Sequence, residues 1–173
     1  MRFELKEWNE AHAPSLTESA ADARIPQYLH NSFPHPYTRG DADAFIAFAA
    51  AEGKRGDLYR AIVAEGKAVG GIAVTRGQDV YCRSAEIGYW LSPAYWGRGI
   101  MTEAVRRICK EAFENTDIVR ICAEVFSPNA ASLRVLEKCG FVREGIKRKS
   151  VFKNGTFYDG VVCALLPPEK ELI

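Results

Sequence analysis

The sequence carries almost no net charge, few histidines and no closely paired cysteines, and each shortage narrows what it can do. Lysine and arginine number 23 against 22 aspartates and glutamates, a formal charge of +1. Without a polybasic field, nucleic acid is disfavoured as the main ligand. No apolar run approaches the roughly 18 residues of a membrane-spanning helix, and the polar opening Met1-Arg2-Phe3-Glu4-Leu5-Lys6 has no signal-peptide core. No membrane partner and a cytoplasmic location are therefore expected. His12, His30 and His35 share no ligand spacing, and the five cysteines, Cys82, Cys109, Cys122, Cys139 and Cys163, are odd in number without a C-x-x-C pair. That pattern fits neither a disulfide framework nor a zinc site, so no metal is expected. Four of the cysteines fall in apolar runs and are expected as reduced, small core residues. There is no G-K-[ST] triplet, which removes a phosphate-loop nucleotidase, and no repeat, linker or low-complexity tract.

What remains is an ordinary globular composition, 47% hydrophobic and 26% charged over 173 residues, which suits one domain spanning 1–173. Phe3 to Trp8 alternates as a strand with one buried face. Pro14 to Ala23 suits a short helix and Ile25 to Leu29 another, whereas Pro34-His35-Pro36-Tyr37 must be extended. Thr38 and Asp41 form a helix-start pair for a helix over Asp41 to Ala51 with Ala44, Phe45, Phe48 and Ala49 inward. Leu58 to Ala64 and Ala68 to Val74 make a hairpin around Gly66. A strand follows from Arg83 to Leu91, with Ala85, Ile87, Tyr89 and Leu91 on one face and Glu86, Gly88 and Trp90 on the other.

Gly99 to Glu114 has the spacing of an amphipathic helix with Met101, Ala104, Val105, Ile108, Cys109, Ala112 and Phe113 inward. Ile118 to Val125 then reads as a strand parallel to the one before that helix. Asn129 caps a second helix that Gly140 ends. Phe141 to Phe152 and Thr156 to Leu166 flank Asn154-Gly155, a strong hairpin signal. The stretch Trp96-Gly97-Arg98-Gly99-Ile100-Met101-Thr102 thus lies where a strand becomes a helix. Free backbone amides and the helix dipole favour an anion there, and a pyrophosphate suits the turn.

The order of elements, the string Glu86-Ile87-Gly88-Tyr89-Trp90-Leu91…Tyr95-Trp96-Gly97-Arg98-Gly99-Ile100-Met101-Thr102-Glu103-Ala104 and the later Asn129-x-x-Ser132…Leu136-Glu137-Lys138-x-Gly140-Phe141 resemble the GCN5-related N-acetyltransferase (GNAT) family, in its ribosomal-protein N-terminal acetyltransferase branch of RimJ/RimL type. The family phosphate motif Q/R-x-x-G-x-G/A is met strictly only at Gly99. The resemblance implies an α/β (α+β) fold with a mixed, mostly antiparallel central sheet, a splayed parallel pair of central strands and flanking helices. It also implies acetyl-CoA as co-substrate, with the acetyl group passing directly to an amine. The amides of Gly97, Arg98, Gly99, Ile100, Met101 and Thr102 would then hold the pyrophosphate beside Trp96, with Arg98 adding a charged contact. The strand end at Trp90 and Leu91 would meet the pantetheine arm and supply an amide to the oxyanion, and Asn129 and Ser132 would lie against the same arm.

An ammonium cannot attack a thioester, so a base must take its proton. Glu86 and Glu124 are the candidates by resemblance; the alternative for each is a solvated or ion-paired carboxylate. Many relatives carry a tyrosine at the position of Leu136 to protonate the leaving thiolate. Here Ser132, water or no acid at all must serve, a thiolate being a tolerable leaving group; for Ser132 the plainer alternative is a helix-start residue. Met101 replaces a small residue. Tyr37, Tyr158 and Asp159 are candidates for the acceptor pocket, against the alternative of buried tyrosines with bonded hydroxyls. The resemblance points to a protein or peptide N-terminal amine, such as that of a ribosomal protein, as acceptor. Polyamines and amine antibiotics stay open, as does a non-catalytic acyl-CoA-binding module, and the assembly is a monomer or a homodimer. A dinucleotide-binding turn fits poorly, because its third position is Thr102 and Asp117 precedes its strand instead of ending one.

Overall fold

In chain order the elements are β1 (Glu4–Glu7), α1 (Ala13–Ala20), α2 (Arg39–Gly53), β2 (Leu58–Ala64), β3 (Lys67–Arg76), β4 (Ser84–Leu91), α3 (Ile100–Asn115), β5 (Arg120–Phe126), α4 (Ala130–Lys138), β6 (Val142–Lys153) and β7 (Thr156–Leu165). The structure is a computed structural model that describes residues 2–168. Its seven strands form one sheet in the order β1-β2-β3-β4-β5-β7-β6. The pairs β1–β2, β5–β7 and β6–β7 are antiparallel, and β4–β5 is parallel. The parallel ladder runs through Ser84↔Arg120 and Ala85↔Ile121 and ends at Glu86↔Cys122. This is the mixed α/β fold that the family resemblance implies.

The hairpin turns are set by local chemistry. Glu65-Gly66 and Asn154-Gly155 hold φ of 52° and 76°, and of 51° and 79°. Two successive residues in the left-handed region match the twist of the strands they join. The described residues up to Ala73, together with Gly88–Ala104, form one compact unit; Val74–Ile87 and the described residues from Val105 onward form another. In the first, Trp8, Ala13, Leu16, Tyr37, Ala42, Ile46 and Val63 share a core against which Phe33, Phe45, Tyr59 and Trp90 pack. In the second, Val105, Ile108, Ile121, Ala123, Leu136 and Val161 are buried.

Several boundaries differ from the sequence expectation. The α1 segment begins at Ala13 and stops at Ala20, and it follows a short 3₁₀ turn at Glu10–His12 whose first amides are capped by Asn9. Ile25 to Leu29 is no helix but a single 3₁₀ turn at Pro26–Tyr28. The inward face of α2 also needs correcting. Ala42, Ile46 and Ala49 are buried and Phe45 half-buried, whereas Ala44 is exposed and Phe48 is 49% exposed. The helix starts at Arg39 behind the Thr38–Asp41 box, and residues 42, 45, 46 and 49 form one stripe at i, i+3, i+4 and i+7. Phe48 lies outside that stripe and meets Tyr59 edge-on at 5.5 Å. Cys109 and Cys163 are buried, Cys122 and Cys139 half-buried and Cys82 exposed, all as free thiols.

Candidate functional site

After β4 the chain makes a 3₁₀ turn at Pro93–Tyr95 and passes Gly97 and Gly99 at φ of 72° and 75° before entering α3. Such left-handed backbone costs an L side chain roughly 1–2 kcal/mol, so conformation demands both glycines. A Cβ placed on either meets nothing within 4 Å, so the space over the turn is open. The first backbone bond into α3 runs from Glu103 N to Gly99 O at 3.1 Å. The amides of Ile100 and Met101 therefore precede the helical ladder and sit at the positive end of its dipole. Both side chains are buried, Met101 at 8% exposure, so a larger residue in place of the family's small one leaves the turn's backbone unobstructed.

The aromatic residues around the turn brace it. The Trp96 indole Nε1 donates to Leu91 O at 2.7 Å, and the Arg24 guanidinium lies 5.7 Å from the centre of its ring. That hydrogen bond ties the end of β4 to the start of the turn and occupies the Leu91 carbonyl. The Arg98 guanidinium lies 5.5 Å from the Tyr95 ring. Trp90 meets Phe33 at 5.8 Å and packs, half-buried, against the core of its unit.

In the other unit, Arg120, Cys122 and Glu124 of β5 alternate with the buried Ile121, Ala123 and Val125. Glu86 stands opposite Cys122 in the last pair of the parallel ladder, and it is exposed. The Cys122 thiol donates to Ala85 O at 3.4 Å, and burial together with the Glu86 charge pushes its pKa up. It is thus a poor nucleophile near neutral pH.

Glu124 has a built environment. Its Oε2 accepts from Lys147 Nζ at 2.6 Å and its Oε1 from Ser150 Oγ at 3.2 Å. Both partners belong to β6, on the far side of β7. The β7 residues on the intervening face, Gly160, Val162 and Ala164, are opposite Phe126, Glu124 and Cys122, and a Cβ on Gly160 would collide with Glu124 Oε1 while standing 2.8 Å from Ser150 Oγ. A missing side chain at position 160 makes room for the carboxylate.

The β6 register jumps from Lys147↔Gly160 to Val151↔Tyr158; Lys149 takes φ of 51° and donates its amide to Asp159 Oδ1 at 2.8 Å. In a regular strand residues 147 and 150 would face opposite sides. The bulge brings both to one carboxylate. Lys147, Ser150 and Gly160 were not candidates from sequence, because no short-range period joins them. The available signal was a glycine inside an apolar strand, which marks a close approach.

The remaining candidates have structural partners. Asn129 Oδ1 accepts from Ser132 N at 3.2 Å, so this side chain caps α4 with its acceptor and keeps the Nδ2 donor for other use, while Ser132 is half-buried in the first turn of that helix. Leu136 is fully buried at 0% exposure. Tyr37 is a core residue 5.2 Å from Phe33, and burial with the nearby Asp41 charge pushes its phenol up to about 12. Tyr158 stacks on Phe126 at 6.4 Å, and Asp159 holds the bulge. The structure thus gathers Glu86, Cys122, Glu124 and Lys147 on one face, where the two carboxylates and the thiol all act on the lysine's charge.

Among the described residues no three His, Cys, Asp or Glu side chains converge on a point that could hold a metal, and no helix is long and apolar enough to cross a membrane.

Residues 2–142 match the family model for the acetyltransferase (GNAT) domain. The chain is 49% identical over 89 residues to the probable N-acetyltransferase YjcK of Bacillus subtilis strain 168, covering 51% of this chain and 49% of that protein. It is 28% identical over 170 residues to the uncharacterized N-acetyltransferase YnaD of the same organism, covering 96% and 92%. The matches at 39–49% identity take in about half the length of those curated relatives. Among solved structures, RimL, a ribosomal L7/L12 alpha-N-protein acetyltransferase in complex with coenzyme A, superposes with a TM-score of 0.85 at 22% identity over 95% of this chain and 93% of that one; at that identity the likeness is one of fold. With its family domain matched over most of its length, the chain belongs to the GNAT acetyltransferase family.

Proposed function

We propose that this chain uses acetyl-CoA to acetylate a primary amine, that of a protein or peptide N-terminus. The observation that carries the proposal is the pair of left-handed glycines at the mouth of α3, joined to a strand β4 that runs on to Leu91 after its parallel ladder has ended at Glu86. The glycine turn suits a pyrophosphate, held by the amides from Gly97 to Thr102 with Arg98 beside them. The β4 residues past Glu86 suit the extended pantetheine arm, and an amide among them suits the oxyanion that forms on the thioester carbonyl. Asn129 Nδ2 is a donor for the pantetheine amides.

Glu86 or Glu124 accepts the proton of the acceptor ammonium, freeing the nitrogen lone pair to attack. The departing thiolate needs no strong acid, since thiols ionise near pH 8.5, and a proton from Ser132 or water completes the product. The N-terminal acceptor is favoured by the fold likeness to RimL, whose described activity is on a ribosomal protein α-amine.

The test is to incubate the chain with acetyl-CoA and a panel of peptides with free α-amines, polyamines and amine antibiotics, following released CoA. Turnover on α-amine peptides is expected. Turnover confined to polyamines or antibiotics would move the acceptor to small molecules, and tight CoA binding without turnover on any amine would leave a binding module. In Glu86→Gln and Glu124→Gln, the variant lacking the working base should lose about a hundredfold in kcat; unchanged rates and pH profiles in both would remove the carboxylates from the mechanism.

A further inference from the structure

The carboxylate nest around Glu124 already holds a primary amine. Lys147 Nζ lies 2.6 Å from Oε2, on a carboxylate that the side-chain-free Gly160 accommodates and Ser150 steadies at its other oxygen. The bulge that begins after Lys147 is what brings lysine and serine to the same group. This lysine is 59% exposed on an unbranched stem, and its charge is felt by Glu86 and Cys122, the pair at which the parallel ladder ends. An ammonium against the proposed proton acceptor is what an acceptor substrate must present. We propose that Lys147 occupies the acceptor-amine position and that the enzyme acetylates its own Lys147 Nζ.

The inference rests on the proposed acetyl transfer with Glu124 as proton acceptor. In the step, Glu124 takes one proton from the Lys147 ammonium and the freed lone pair forms the N–C bond to the thioester carbonyl. The C–S bond then breaks and CoA departs as its thiolate. The second nitrogen proton is lost to solvent, and the thiolate is protonated from Glu124 or water. The products are an Nζ-acetyl amide and free CoA, with no oxidant or metal required. The amide carries no charge, so it cannot hold Glu124 as the ammonium did, and the carboxylate becomes available to an incoming amine. Self-acetylation therefore removes the competing cation from the acceptor position.

The test uses the full chain with acetyl-CoA and no acceptor, followed by proteolysis and mass spectrometry of the peptides from β6 and α3, whose exposed Lys149 and Lys110 serve as internal controls. Lys147 is expected to gain an acetyl group about a hundredfold faster than either control, the factor a positioned base supplies. Glu124→Gln should bring Lys147 down to the level of the controls. Non-enzymatic acetylation gives the opposite sign, because Glu124 holds the Lys147 ammonium's pKa up and its loss would make that lysine more reactive. Equal labelling of the three lysines, or a rise in Glu124→Gln, overturns the proposal. Should Glu124→Gln lose its fold by circular dichroism, the ratio among the three lysines of the unmodified chain decides alone. Turnover of added peptides with Lys147 unlabelled overturns self-acetylation while the proposed function stands; failure to bind acetyl-CoA takes both down.

Discussion

At the residue scale, two small facts govern the candidate chemistry: Leu136 has no contact with solvent and Gly160 has no side chain over the Glu124 carboxylate. A tyrosine at 136 would enter a filled core and not an open site. Leu136→Tyr should therefore destabilise the chain by about 1–3 kcal/mol without raising acetyl transfer; urea unfolding and the CoA-release assay check the two halves, and a faster enzyme would contradict the burial argument. Gly160→Ala puts a methyl group where Glu124 Oε1 lies. The carboxylate must swing away from Lys147 and Ser150, so the variant should fold with a loss of about 1–3 kcal/mol and should lose acetyl transfer more than CoA affinity, a split that assay and titration calorimetry resolve.

At the element scale, the strand-to-helix turn depends on backbone conformation more than on side chains. Gly99→Ala forces an alanine to φ of 75° with nothing of the protein in its way. Strain alone then predicts a loss of about 1–2 kcal/mol in stability. CoA affinity should fall further, because the amides of Ile100 and Met101 can no longer keep their positions. Chemical denaturation beside titration with CoA measures both, and unchanged affinity would disconnect the turn from the pyrophosphate. The bulge in β6 works the other way: backbone irregularity there moves side chains, setting Ser150 beside Lys147.

At the scale of the whole molecule, stability is linked to pH through His12, which burial and the Lys6 charge hold below its ordinary pKa of 6.5. The folded chain resists protonation there more than the unfolded chain does. The contribution is thus fully present above pH 6.5 and is lost as pH falls from 6.5 through the lowered folded value. Urea unfolding on both sides of that pH should show the decline. His12→Gln should flatten it in that window, at some cost in overall stability because Asn9 N donates to the imidazole Nδ1. A profile unchanged by the substitution would assign the pH dependence to other groups.

Local chemistry carried much of the architecture. Alternation marked β1 and the two faces of β4, Gly66 and Asn154-Gly155 marked their hairpins, and the glycines at 97 and 99 marked the turn, because each depends on residues adjacent in the chain. Glu86 and Glu124 came from the family resemblance, and the face of β4 that carries Glu86 followed from the same period of two. The inward face of α2 did not, since alanines at 42, 44 and 49 have nearly equal claims and only packing chooses among them. Nor did the surroundings of Glu124. Lys147, Ser150 and Gly160 meet it through a three-strand register and a bulge, and pairing between distant segments is settled by the whole sheet closing on its core. The sequence by itself determined the family and the glycine turn that suits a pyrophosphate, because both are written in residues close along the chain; the tertiary structure decided which amine the Glu124 carboxylate holds, because its partners come from separate strands.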